Sequence, residues 1–368
     1  MNPTPQIPRR ATRRILLGGV AIGGGAPVSI QTMTKTDTRD VAATVAQIRE
    51  IAAAGGDVVR LAVVDEQAAA ALAEICRQVT LPVVADIHFD YRLALRAAEA
   101  GVQGLRINPG NIGSRDRVAE VVRAARERGL PIRIGVNSGS VEADLRQQYG
   151  GSSARALVES ALRHTRILED LDYREVKISV KATDVARTVE AYRLLSQTTD
   201  YPLHLGLTEA GTFLAGTVRS SVAMGMLLAE GIGDTIRVSL TDSPVREVQV
   251  GLELLRCLGL RPPGPRVISC PTCGRCEVDL VAVCTRVEQA LELFYRDNPQ
   301  APRPVVAVMG CMVNGPGEAK DADIAVAGGR SRFALYVRGE HRLTVNEADA
   351  VDALLDEVRR WRAAPEGA

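Results

Sequence analysis

Three cysteines stand close together late in the chain, in the run Ser269-Cys270-Pro271-Thr272-Cys273-Gly274-Arg275-Cys276. Thiolates at this spacing hold metal, and the two chemistries to weigh are a zinc site and an iron–sulfur cluster. A fourth, Cys311, sits alone in a glycine turn, Gly310-Cys311-Met312-Val313-Asn314-Gly315-Pro316-Gly317-Glu318. Such turns bring backbone N–H groups toward anionic sulfur. No second Cys-x₂-Cys accompanies the run, as a zinc ribbon would require. The first two cysteines also precede an expected helix over 278–294, whose positive end favours a thiolate cluster. Iron–sulfur is the favoured reading and zinc the alternative. Cys76, Cys257 and Cys284 fall on apolar helical faces and read as small buried hydrophobes.

A second group of residues carries positive charge where charge is costly. Arg60 lies in Val-Val-Arg-Leu-Ala, Arg106 in Leu-Arg-Ile-Asn-Pro-Gly and Arg133 in Ile-Arg-Ile-Gly-Val-Asn. Lys177 and Lys181 lie in Val-Lys-Ile-Ser-Val-Lys, and Arg237 in Ile-Arg-Val-Ser-Leu. A cation inside an apolar strand needs a partner or a wet cleft. One account is internal salt bridges to Asp57, Asp86 and Glu209. The other is a ring of cations converging on a phosphate or diphosphate. Asn108, Asn111, Asn137, Ser138, Ser140, Thr208 and Ser239 follow strand ends and suit phosphate or hydroxyl oxygens. Asp86 and Glu209 are carboxylates placed for acid or base work. His88 reads equally as a structural histidine.

The elements that must position these groups follow from a repeating pattern. Strands are expected at 28–33, 58–63, 83–87, 104–107, 132–136, 175–180, 203–207 and 235–240. Amphipathic helical stretches separate them, so eight strand–helix units occupy about 230 residues. That spacing fits an N-terminal (β/α)₈ TIM barrel, with an open doubly wound sheet as the alternative. No Gly-x-Gly-x-x-Gly follows the first strand and no Gly-Lys marks a phosphate loop. Composition shifts at Leu260-Arg261-Pro262-Pro263-Gly264-Pro265, a stiff connector. The expected organisation is therefore a substrate barrel over 1–259, a linker over 260–265 and a small α/β domain bearing the cysteines over 266–368.

The chain has 368 residues and a net charge of +1, which argues against a general nucleic-acid binder. Aromatics are only 3%, too few for base stacking, so the core must be aliphatic. No apolar run approaches the roughly 18 residues of a membrane helix. Arg9-Arg10-Ala11-Thr12-Arg13-Arg14 superficially resembles a twin-arginine signal. The segment after it is short, glycine-broken and without an Ala-x-Ala site, so it reads as a hairpin. Seven cysteines without a credible leader point to the reducing cytoplasm.

Taken together, these motifs resemble the 4-hydroxy-3-methylbut-2-enyl diphosphate synthases of the bacterial non-mevalonate isoprenoid pathway, in their shorter two-domain form. The matching stretches include Val28-Ser29-Ile30-Gln31-Thr32-Met33-Thr34, Ala85-Asp86-Ile87-His88-Phe89-Asp90 and Arg106-Ile107-Asn108-Pro109-Gly110-Asn111. Leu207-Thr208-Glu209-Ala210-Gly211, Cys270-Pro271-Thr272-Cys273 and Asn314-Gly315-Pro316-Gly317-Glu318-Ala319 complete them. The resemblance implies two-electron reduction of 2-C-methyl-D-erythritol 2,4-cyclodiphosphate, with ring opening and loss of a hydroxyl as water. It implies a small domain of ferredoxin or sulfite-reductase type, and a [4Fe–4S] cluster on Cys270, Cys273, Cys311 and Glu318. A carboxylate is a harder, more weakly held iron ligand than thiolate. Arg60, Arg106, Arg133, Asn137, Lys181, Arg237 and Ser239 would hold the diphosphate. Glu209 would hold the departing hydroxyl or supply a proton, and Glu318 would join it as a catalytic carboxylate. Flavodoxin or ferredoxin would donate electrons, and two subunits would share active sites in a homodimer. Cys276 departs from the motif and could replace Glu318 as a ligand.

Two other functions fit the residues less well. A radical S-adenosylmethionine enzyme needs Cys-x₃-Cys-x₂-Cys near the start of the barrel, where none occurs. A zinc-stapled binding protein on an inert barrel would need neither the strand-end cations nor Glu318.

Overall fold

The computed structural model describes residues 7–311 and 322–362, which fall into two compact units divided between Arg261 and Pro262. The first begins with a hairpin, β1 (Ile15–Leu17) and β2 (Val20–Ile22), turning at Gly18, as its glycines predict. Eight parallel strands follow: β3 (Ser29–Met33), β4 (Val58–Ala62), β5 (Val83–Asp86), β6 (Gly104–Ile107), β7 (Ile132–Asn137), β8 (Val176–Lys181), β9 (His204–Leu205) and β10 (Thr235–Ile236). Their order is β8-β7-β6-β5-β4-β3-β10-β9. A parallel bridge from Ile178 to Leu203 brings β8 against β9 and closes the ring. The barrel, not the open sheet, is the fold.

Each strand is followed by a helix: α1 (Val41–Ala53), α2 (Glu66–Gln78), α3 (Tyr91–Glu99), α4 (Pro109–Ile112), α5 (Arg115–Arg128), α6 (Ala143–Gln148), α7 (Ala154–Glu169), α8 (Val185–Thr198), α9 (Phe213–Ala229) and α10 (Pro244–Cys257). The strand-to-helix turns carry their own start signals. Asp40, Asp65 and Asp184 cap α1, α2 and α8, each accepting an N–H from the first turn. The short α4 and α6 have no counterpart in the sequence reading, because neither is long enough to show an amphipathic period.

Alternation along the strands sorts the side chains. Val59 and Leu61 join the aliphatic layer under the helices. Val58 and Val84 instead pack against Ile15, Leu17 and Ile22, so the hairpin plugs the N-terminal mouth with apolar contacts. Above that plug the interior is polar, and it opens at the C-terminal ends of the strands. The last two strands are two residues each, shorter than the sequence suggests. Gly206 (φ +152°) turns the chain there, and a Cβ on it would lie 2.5 Å from the Arg237 carbonyl oxygen.

The second unit is a five-stranded sheet, ordered β11 (Arg266–Ser269), β12 (Val305–Met309), β13 (Ile324–Gly329), β14 (Arg332–Val337) and β15 (Glu340–Asn346). The first three strands are parallel and the last two antiparallel. Helices α11 (Leu280–Asp297) and α12 (Ala350–Arg360) cover one face, with Leu280, Val287, Leu291 and Leu354 in one core with the strand residues Val308 and Leu335. No strand is expected from the sequence at β11. This is an edge strand, half-exposed along its length, so its apolar alternation is weak. Cys257 is exposed rather than buried, because it ends α10 on the solvent side, where its thiol faces Glu253 Oε1 at 3.7 Å. Cys76 and Cys284 are half-buried.

Candidate active site

Six cations point into the barrel from the inward positions: Arg60, Arg106, Arg133, Lys177, Lys181 and Arg237. Register explains the convergence, since Asp86 pairs with Arg106, Arg106 with Arg133, and Arg133 with Lys177 on neighbouring strands. Asp86 lies between two guanidiniums. Arg60 Nε is 3.4 Å from its Oδ2, and Arg106 Nη1 donates to its Oδ1 at 3.0 Å. His88 Nε2 stands 3.7 Å from Oδ2 on the exposed side. Burial alone raises the Asp86 carboxyl. The positive charge of Arg60, the His88 contact and the charge of Arg106 outweigh it and hold the group far below the usual carboxylate range. Burial also pushes the Arg60 guanidinium down to about 10.

The other side of the ring is organised by Glu247, on α10. Its Oε2 accepts from Thr32 Oγ1 at 2.6 Å, its Oε1 from the Leu240 N–H at 3.0 Å, and Lys35 and Arg237 approach at 3.3 and 3.6 Å. Arg133 Nη1 donates to Ser179 Oγ at 2.7 Å, and Arg106 Nη2 to the Gly135 carbonyl at 3.3 Å. Burial, then repulsion from neighbouring cations, drives the ammonium pKa values of Lys177 and Lys181 well down. Such a site gains from a ligand of negative charge, whose attraction offsets the repulsion between the cations.

At the mouth, a cleft of about 410 Å³ is lined by His88, Arg106, Asn108, Asn111, Asn137, Ser138, Ser140, Arg187, Thr208 and Glu209. Asn137 is fixed by a capping box with Ser140 at the end of β7. Glu209 is exposed and sits in the left-handed region at φ +54°, so its backbone is strained to hold that place.

In the second unit, Cys270 and Cys311 leave β11 and β12 at the same end, because Ser269 pairs with Val308. The Gly310 N–H lies 3.4 Å from Cys270 Sγ and donates to it. A side chain on Gly310 would meet Cys276 Sγ at 2.6 Å, so glycine is required there. The Cys276 thiol itself turns to the Val278 carbonyl at 3.3 Å. Cys273 is exposed. A soft, sulfur-rich donor set beside a sheet end, with a backbone N–H already on one sulfur, fits a thiolate-held cluster. Among the described residues no three ligand side chains yet converge on one point, and Glu318 lies outside those residues. The helix that follows the cysteines, α11, begins at Leu280, two residues later than expected, and Asp279 caps it through the Ala282 N–H at 3.1 Å.

The profile of the GcpE TIM-barrel domain matches residues 12–252, and that of the GcpE protein C-terminal domain matches residues 266–360. The chain belongs to the GcpE family. It is 57% identical over 349 residues to a 4-hydroxy-3-methylbut-2-en-1-yl diphosphate synthase (flavodoxin) of Geobacter sulfurreducens, covering 95% of this chain and 97% of that one. It is 54% identical over 354 residues to the protein of the same name from Thermodesulfovibrio yellowstonii, covering 96% and 100%.

Within this GcpE barrel the residues singled out from sequence do not all meet in one place. Arg106, Asn137 and Glu209 reach the open cleft. Arg60, Arg133 and Lys181 lie buried, and Arg237 and Ser239 are half-buried near Glu247 and β10. Of the internal acids considered as partners, Asp86 is one. Asp57 instead pairs with Arg261 and accepts from the Ile30 N–H at 2.7 Å, and Glu209 makes no ion pair among the described residues. Three GcpE residues escaped the sequence reading. Glu247 is a first-turn acid of α10 and Arg187 a first-turn cation of α8, positions where such residues carry no signal of their own. His204 is a lone histidine in Leu-His-Leu-Gly, where strand alternation could have flagged it. No described helix is long and apolar enough to cross a membrane.

Proposed function

We propose that this chain reduces 2-C-methyl-D-erythritol 2,4-cyclodiphosphate to 4-hydroxy-3-methylbut-2-enyl diphosphate and water, in the cytoplasm, as an isoprenoid-pathway oxidoreductase. Counted on the neutral acids, the conversion takes up two electrons and two protons and releases one water. The observation that carries this reading is the excess of buried cations over carboxylates inside the barrel mouth, which a diphosphate neutralises. The full-length identity to synthases named for flavodoxin supports the same reaction and the same donor.

Arg60, Arg106, Arg133, Asn137, Lys181, Arg237 and Ser239 hold the diphosphate. Asp86 and Glu247 aim the guanidiniums rather than meeting substrate. Glu209 reaches into the cleft from its strained turn and delivers a proton to the leaving hydroxyl, or orients it. Cys270, Cys273, Cys311 and Glu318 hold a [4Fe–4S] cluster, which supplies the electrons when bound. The polar mouth is fixed by short side chains, so orientation of the ring is set before reduction.

The test is metal and sulfide content on anaerobically purified chain, followed by turnover of the cyclic diphosphate with reduced flavodoxin. About four irons and four sulfides per chain with product formation support the reading. Zinc without sulfide, persisting after reconstitution, overturns it. Lys181→Met is expected to lower kcat/KM about 10–100-fold, the loss of one charge-assisted hydrogen bond, with iron content unchanged. Unchanged kcat/KM in this variant would remove Lys181 from the binding set.

The reading extends to a homodimer with active sites shared between subunits. It is supported by the stiff connector and by α9, whose Leu214, Val218, Val222 and Met226 form an exposed apolar stripe at helical spacing. Leu214→Asp with Val218→Asp is expected to shift the chain to monomer in sedimentation and to lower turnover with it. A fully active monomer would contradict the shared sites.

A further inference from the structure

Beside the diphosphate-facing cations lies a set of buried polar groups of which the proposed reaction uses only Arg133. Thr235 pairs in register with both Ser29 and His204, so these three line one arc of the wall across β3, β10 and β9. Lys177 and Arg133 pair in register on β8 and β7, and Gln31 stands two residues beyond Ser29. All six are at most 2% exposed. Their free groups are Arg133 Nε and Nη2, Lys177 Nζ, both ring nitrogens of His204, both amide atoms of Gln31 and the hydroxyls of Ser29 and Thr235.

The nearby acids are already committed. Asp86 serves Arg60 and Arg106, and Glu247 serves Thr32, Leu240, Lys35 and Arg237. Ser179 Oγ is occupied by Arg133 Nη1. Burial and the charges of Arg60 and Arg106 push the Arg133 guanidinium well down, yet it remains the strongest base of the group and keeps its proton. The group therefore carries more donors than acceptors, and its acceptors (Gln31 Oε1, one His204 nitrogen and two hydroxyls) are all neutral, so its net charge is positive. A ligand that only accepts, carries one negative charge and needs no open passage is the complement of such a place.

We propose that Arg133, Lys177 and His204, with the amide of Gln31, form a buried site for a halide-sized monovalent anion on the floor of the barrel. The anion offsets the charge of Lys177 and of the inner edge of Arg133, so that Arg133 and the other cations stay charged for the diphosphate. Burial and the fields of Lys181, Arg133 and Lys177 hold the His204 ring neutral, which leaves one of its nitrogens as an N–H donor.

The probe is bromide, used on the anaerobically purified full chain. Sodium bromide titrated against sodium gluconate at constant ionic strength is expected to raise the Tm of the barrel transition saturably, by about 2–4 °C. Crystals grown in bromide are expected to show an anomalous peak among Arg133, Lys177 and His204. Lys177→Met is expected to weaken the response at least tenfold. If that variant does not fold, His204→Phe is expected to do the same. Equal Tm values in bromide and gluconate would overturn the site and leave Lys177 simply neutral. An undiminished response in a folded variant would equally overturn it, because the effect would then lie at the surface.

Discussion

Purified anaerobically, the Cys273→Ala chain is expected to lose its iron and sulfide, from about four of each per chain toward none, and to lose turnover with them. Cys276→Ala is expected to keep both. The two residues are three apart, yet they occupy different surroundings. Cys273 is exposed and free to ligate, in a turn where Thr272 adopts φ +62°. Cys276 packs half-buried beneath Gly310 and gives its thiol to the Val278 carbonyl at 3.3 Å. Its substitution removes a sulfur from a small packed space, so the expected change is a modest loss of stability rather than of metal. Metal and sulfide analysis on both variants decides the matter. Loss of iron from Cys276→Ala alone would transfer the fourth ligand from Glu318 to Cys276.

Asp86→Asn carries the largest expected effect on the barrel. It strips the carboxylate from two buried guanidiniums, Arg60 at 3.4 Å and Arg106 at 3.0 Å. Breaking a buried pair by removing one partner costs about 3–5 kcal/mol. The sign of its pH dependence follows from the depressed carboxyl. Its contribution is fully present above the unfolded-chain value of about 3.9, and it fades as pH falls from there toward the much lower folded value. The parent barrel should therefore weaken steeply below about pH 4, whereas Asp86→Asn should be weaker at pH 7 and flatter in acid. Urea unfolding at pH 7 and pH 3, followed on the barrel transition, checks both. Equal stability at pH 7 would mean that the guanidiniums need no carboxylate. Pairing with Arg60→Met should recover part of the loss, because one stranded charge is then removed.

The barrel was legible because its signals are local. Strand runs alternate with amphipathic helices, and aspartates at 40, 65 and 184 announce helix starts through contacts within three residues. The cations were legible for an energetic reason, since charge inside an apolar run demands compensation wherever the chain folds. The hairpin at Gly18 and the cysteine spacing were likewise short-range facts. Edge strand β11 and the short helices were not legible, because half-exposed or brief elements leave no clear period.

The sequence by itself determined which residue types must be reconciled: a sulfur-rich second unit, and a barrel holding more inward cations than acids. Only the tertiary structure decided the pairing. Closure of β8 on β9 placed His204 and Lys177 on the same wall, and α10 brought Glu247 back to Thr32, 215 positions earlier. It also sent Asp57 to Arg261 and left Asp86 alone between Arg60 and Arg106. The physical reason is that a buried charge needs a partner of either origin, near or far in sequence. The need is set by composition, and the partner is set by register, strand order and the direction each alternate side chain faces once the ring is closed.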